Sequence, residues 1–185
     1  MSIRIIAGDR RGLTLKTVEF AGFRPTLGRV RESLFGTLEP VVEGARVLDL
    51  FAGSGALGIE ALSRGAIAAI FIDNHRKAVK VIEQNLEKSH FEDRSRVHLG
   101  DFAIAGKKVA REEQFDLVFA DPPYLQGFPQ RVIHHLLDVN LLTENGLLCL
   151  EMDRREMREL DFKGFEVVRD KKYGSTHIWI MRRLI

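Results

Sequence analysis

Apolar positions along the chain change period at about residue 45. From Arg46 onward, short apolar runs of strand length alternate with longer stretches of helical spacing, which is how a parallel sheet covered by helices is written in sequence. The predicted strands are RVLDL (46–50), AIFID (69–73), RVHLG (96–100), FDLVFA (115–120) and GLLCLE (146–151). Between them Val79, Ile82 and Leu86 recur at i, i+3, i+7, and Val132, Ile133, Leu136 and Leu137 form a second stripe. Both are faces that a helix lays on a sheet. FEVVRD and HIWIMRR flank Tyr173, Gly174 and Ser175 and predict a closing antiparallel hairpin. The fold class is therefore α/β.

The first 45 residues break this rhythm. IRIIAG and LTLKTV predict two small strands around the turn from Asp9 to Gly12, and Pro25 and Thr26 open a helix carrying Val30, Leu34 and Leu38. The chain thus divides into an N-terminal extension over 1–45, docked on a body over 46–185, with no Pro/Ser-rich linker between them. At 185 residues, 45% hydrophobic and 29% charged, one core suffices, and disorder or a disulfide scaffold is excluded. The single cysteine, Cys149, is expected to be an inert core thiol, and Trp179 a core residue. No run reaches the roughly 18 apolar residues of a membrane span, and charges interrupt the N-terminus before a signal core forms, so a cytoplasmic address is expected. His134 and His135 splay apart on a helix, and no metal site is expected.

Net charge is +2, but residues 1–31 hold seven basic and two acidic residues. That clustering is an electrostatic footprint for a polyanion, with Arg10, Arg11, Arg24, Arg29 and Arg31 as candidate phosphate contacts. The alternative is an arginine-rich solvated face.

Two motifs carry chemistry. VLDLFAGSGALGIEAL places Gly53, Gly55 and Gly58 at GxGxxG spacing after a strand and before a helix, with Asp73 ending the next strand. This spacing also marks dinucleotide sites. Asp49 favours S-adenosylmethionine, since a carboxylate just before the loop repels a pyrophosphate and attracts an ammonium and a sulfonium. Asp73 is placed to accept ribose hydroxyls, and Asp101 and Phe102 to meet the adenine amine and ring. The plainer readings are loop capping for Asp49 and core packing for Phe102.

Asp121-Pro122-Pro123-Tyr124 follows the fourth strand of the body at its carboxyl end, where open α/β sheets place chemistry. An exocyclic base amine is a poor nucleophile because its lone pair is delocalised into the ring. The Asp121 carboxylate and the Pro122 carbonyl can accept its two N–H bonds and turn the lone pair toward a methyl donor. The prolines hold both acceptors in place, and Tyr124 offers a face for an extruded base. A tight turn with a capping aspartate is the plainer alternative.

With RIIAG, RPT and RVRESLF near the start, then VLDLFAGSGALGIEALSRGA and DPPY, the chain resembles the bacterial small-subunit ribosomal RNA guanine-N2 methyltransferases of the RsmD type over nearly its whole length. Gly28 and Gly36 depart from the usual pattern there. The resemblance implies a Rossmann-like class I methyltransferase sheet, mostly parallel with a reversed last strand, and an N-terminal extension that contributes to RNA binding. It also implies methylation of guanine N2 in ribosomal RNA, free or in an assembling small subunit, with S-adenosylmethionine as cofactor; a monomer is expected. Adenine N6 or a protein glutamine amide would suit the same tetrapeptide. An NAD(P)-dependent oxidoreductase would leave DPPY without a use, and a non-catalytic RNA-binding module would leave Asp121 and Tyr124 unexplained.

Overall fold

The computed structural model describes residues 3–18, 28–174 and 176–184. A two-stranded antiparallel ribbon, β1 (Ile3–Arg4) and β2 (Thr14–Leu15), precedes helix α1 (Gly28–Val42). The body then runs β3 (Arg46–Leu50), α2 (Ala56–Ser63), β4 (Ala68–Asp73), α3 (Arg76–Ser89), β5 (Ser95–Leu99), α4 (Phe102–Val109), β6 (Phe115–Ala120), α5 (Phe128–Asp138) and β7 (Leu142–Asp153), and closes with β8 (Phe165–Tyr173) and β9 (Thr176–Arg183). The predicted start of the first helix at Pro25 and Thr26, the candidate contact Arg24 and the turn residue Ser175 lie outside the described residues.

The body strands form one seven-stranded sheet in the order β5-β4-β3-β6-β7-β9-β8. β5, β4, β3, β6 and β7 are parallel, and β9 runs antiparallel between β7 and β8. This is the class I methyltransferase arrangement with its reversed last strand. Alternation along each strand gives two apolar faces. Val47, Phe71, Phe119 and Cys149 point to one, which α1, α2, α3 and the N-terminal ribbon cover. Leu48, Ile72, Val118 and Leu150 point to the other, which α4 and α5 cover. β7 begins four residues earlier than its apolar run predicts, because Leu142 pairs with Phe115 ahead of an irregularity, and Asn145 turns the strand at φ +64° before Leu147 rejoins the ladder opposite Leu117.

The extension is fastened to the body by polar groups that helical periodicity assigns to the surface. Glu60 of α2 is fully buried, and its carboxylate accepts from the backbone N–H groups of Ile6 (2.8 Å) and Ala7 (3.0 Å) and from Arg64 Nε (2.8 Å). Ser63 donates to the Ala7 carbonyl and accepts from the Arg10 N–H, while its own carbonyl accepts from the Asp9 N–H. Asn85 of α3 exchanges hydrogen bonds with both backbone groups of Lys16 and donates to the Ser54 carbonyl in the glycine loop. These bonds supply partners for backbone groups that the two-residue strands leave outside any ladder. Ile3, Ile5 and Leu15 join the same apolar cluster as α1 and α2.

Candidate active site

The site lies at the carboxyl edge of the parallel strands. Leu50 is in register with Ile72 on one side and Ala120 on the other, and Ala120 with Leu150. The next position on each chain is therefore Phe51, Asp73, Asp121 and Glu151, a row of three carboxylates and one aromatic ring along a single edge. Asp49 sits two residues below Phe51 on β3.

Behind Asp49 the chain turns at once into α2. Gly53 and Gly55 take φ of +58° and +76°, and Gly55 caps the helix. Gly58 lets that helix press on the sheet, since a Cβ there would stand 2.3 Å from the Phe71 ring. Asp49 Oδ2 accepts from the Gly58 N–H at 3.0 Å, so the capping role and the site position coexist. Burial, with the nearby Asp73 charge adding to it and the Gly58 N–H opposing, pushes the Asp49 carboxyl up to about 8. A buried carboxylate held by a neutral N–H donor gains further from a cation, a charge that the ammonium of S-adenosylmethionine carries.

Asp73 and Asp101 border a cleft of about 290 Å³, measured with the space open to solvent, whose other walls are Phe51, Ile72, Asn74, Gly100, Phe102 and Phe128. Asp73 orients its two oxygens through the Gly53 and His75 N–H groups (both 2.8 Å), and each oxygen keeps a lone pair for a hydroxyl. Asp101 caps α4 by accepting from the Ala103 and Ile104 N–H groups at 2.9 and 3.4 Å. Phe102 is both core and wall: it is 4% exposed and packs against Phe51 and, edge-on, against Phe128. Arg131 stands 4.9 Å over the Phe128 ring. The residues present fit a nucleoside with a cationic tail, with carboxylates for the hydroxyls and the ammonium and aromatic walls for a base.

On the other side of Asp121 the tetrapeptide leaves β6. Pro122 is buried, Asp121 is partly buried, and Leu125 follows at φ +60°. The Tyr124 hydroxyl donates to Glu151 Oε1 and lies 3.2 Å from Thr176 Oγ1 at the start of β9. Burial, followed by the Glu151 charge, holds the Tyr124 hydroxyl well above its ordinary range, so it stays a donor. Burial also raises Glu151, against the bond from Tyr124.

The basic candidates separate. Arg11 and Arg29 are exposed, as a phosphate contact requires. Arg31 is not available for one: it is 3% exposed, donates to the Arg4 carbonyl at 2.9 Å and faces Glu60 at 3.9 Å, so its charge serves the joint between α1, the ribbon and α2. Arg10 is also largely committed, donating from Nε to the Ser89 carbonyl at 2.7 Å with its guanidinium over the Phe91 ring. Sequence reasoning passed over Phe51, Asn74, Phe128, Glu151 and Thr176. Only Phe51, next to the glycine loop, carried a positional signal.

Comparison with known proteins agrees with this geometry. The family model described as conserved hypothetical protein 95 matches residues 3–182. Ribosomal RNA small subunit methyltransferase D of Escherichia coli K12 is 38% identical over 151 residues, 82% of this chain and 75% of its own. YlbH of Bacillus subtilis is 35% identical over 182 residues, 98% of this chain and 99% of its own. Among solved structures, yhhF from Escherichia coli superposes with a TM-score of 0.84 at 33% identity, covering 99% of this chain and 98% of its own. The chain belongs to the conserved hypothetical protein 95 family, that of ribosomal RNA small subunit methyltransferase D.

Proposed function

We propose that the protein methylates the exocyclic N2 amine of a guanine in small-subunit ribosomal RNA. The observation that carries this reading is the Asp121-Pro122-Pro123-Tyr124 edge, set between the cleft bordered by Asp73 and Asp101 and the Tyr124–Glu151 pair. The names of the relatives support ribosomal RNA as substrate. When bound, S-adenosylmethionine supplies an electrophilic methyl group on a sulfonium. Asp49 would face its ammonium, Asp73 its ribose hydroxyls, and Phe102 with Phe51 its base. Asp121 and the Pro122 carbonyl accept the two N–H bonds of the target amine, which localises the nitrogen lone pair on the side of the methyl. As the N–C bond forms and the methyl carbon's bond to sulfur breaks, sulfur is left as a neutral thioether and the positive charge passes to the nitrogen, where the Asp121 carboxylate would stabilise it and accept the proton lost afterwards. The Tyr124 ring, fixed through its hydroxyl, stacks the extruded base. This work takes place in the cytoplasm, where ribosomal RNA is made and assembled.

Because Asp121 touches the amine and not the cofactor, Asp121→Ala is expected to lower single-turnover methyl transfer by at least about 100-fold while cofactor affinity stays within about twofold. A near-native rate in that variant would remove Asp121 from the mechanism.

A further inference from the structure

We infer that Glu151 reads the edge of the target base beside the amine, accepting the N1–H of guanine, and so makes the site reject adenine. The inference rests on the methyltransferase reading above and concerns which base that site accepts.

The tetrapeptide alone cannot choose between bases, because two acceptors serve a guanine N2 amine and an adenine N6 amine equally. What differs is the neighbouring ring atom. Guanine presents N1–H, a donor, next to its amine, whereas adenine presents the lone pair of N1. A glutamine amide presents its carbonyl oxygen. A fixed acceptor beside Asp121 therefore pairs with guanine and opposes the other two.

Glu151 occupies that position. Asp121 directly follows Ala120 and Glu151 directly follows Leu150, and those two residues are paired across β6 and β7. Neighbouring strands lie about 4.8 Å apart, roughly twice the separation of N1 and N2 on a guanine edge, so the two carboxylates have to converge on the base from adjacent strands. The Tyr124 hydroxyl donates to Glu151 Oε1, which favours the ionised, accepting form against the burial that raises the group, and fixes its rotation relative to the stacking ring. Thr176 Oγ1 holds the same hydroxyl from β9. Glu151 lies at the carboxyl edge of the sheet and is only partly buried. A carboxylate needed only to hold a tyrosine could be replaced by any acceptor. One needed for guanine must remain acceptor-only, which an amide is not.

The test uses small-subunit ribosomal RNA in which the nucleotide labelled by the native enzyme has been mapped, then rebuilt with 2-aminopurine at that position. This base keeps the 2-amine but carries a lone pair on N1. The native enzyme is expected to favour guanine over 2-aminopurine by at least about 100-fold in kcat/KM. Glu151→Gln, isosteric and able to turn a donor toward N1, is expected to bring that ratio below about 10, with cofactor affinity within twofold of native. Glu151→Asp, with a shorter reach, is expected to lower the ratio as well, and gives a second reading if the glutamine variant folds poorly. Tyr124→Phe, which loses the hydroxyl but keeps the carboxylate, is expected to slow the reaction and to lower the preference for guanine less than Glu151→Gln does. Ratios in Glu151→Gln and Glu151→Asp equal to the native ratio would overturn the inference and leave Glu151 as the residue that holds Tyr124. A native enzyme that labels no guanine would instead overturn the methyltransferase reading on which the inference stands.

Discussion

Asp49 accepts the Gly58 N–H within the fold and, in the proposed function, also meets the ligand. Its proton is held more tightly in the folded protein, where burial lifts the group to about 8, than in the unfolded chain, where aspartate titrates near 3.9. The resulting contribution to stability is fully present below about pH 4 and is lost as pH rises toward about 8. Ligand-free protein is therefore expected to lose stability from pH 5 to 8, and Asp49→Asn to flatten that slope, as read by chemical denaturation across the range. Cofactor binding at pH 7 is expected to release a proton in native protein but not in Asp49→Asn, as calorimetry in buffers of different ionisation enthalpy reports. Gly8 is a second single-residue constraint. It has φ +79°, and an added Cβ would stand 1.7 Å from the Ser63 carbonyl oxygen. Gly8→Ala is expected to destabilise the protein by at least about 2 kcal/mol in thermal or denaturant unfolding, through left-handed strain and loss of the close approach.

At the scale of elements, what was legible in the sequence followed from period. The body strands announce themselves because both faces of a parallel sheet are buried, which leaves unbroken apolar runs bounded by polar loops. Gly53, Gly55, Gly58 and Asp121 were legible because their spacing has a local cause. Glu60, Ser63 and Asn85 were not. A polar residue at a core position of a helix looks like surface until its partner is known, and here the partner is the backbone of a ribbon some 53 to 69 residues away in sequence. Glu151 likewise reads as the polar end of a strand until Tyr124 is seen to meet it. The same blindness affects the arginines, which sequence groups by charge and structure divides by burial. Arg10→Ala is expected to cost roughly 1–2 kcal/mol of stability through the lost Ser89 bond and the Phe91 contact, with little change in the salt dependence of RNA binding. Arg11→Ala is expected to leave stability unchanged and flatten the log–log salt slope by roughly 0.7 to 0.9. Equal slopes for native and Arg11→Ala would remove the ribbon turn from the RNA interface.

For the whole molecule, the sheet acts as a ruler. Parallel strands in register bring Asp73, Asp121 and Glu151 to one edge, so that in the proposed function cofactor hydroxyls, target amine and base edge are addressed in sequence across the sheet, while the helices and ribbon behind Asp49 hold the glycine loop in place. The account stands on this edge transferring a methyl group to a guanine amine in ribosomal RNA. Its most direct test supplies methyl-labelled S-adenosylmethionine with small ribosomal subunits, free small-subunit RNA and DNA, followed by digestion to nucleosides. The account predicts label in N2-methylguanosine from small-subunit RNA, lost with Asp121→Ala. Label in N6-methyladenosine, or in no nucleoside while the protein binds S-adenosylmethionine tightly, would contradict it.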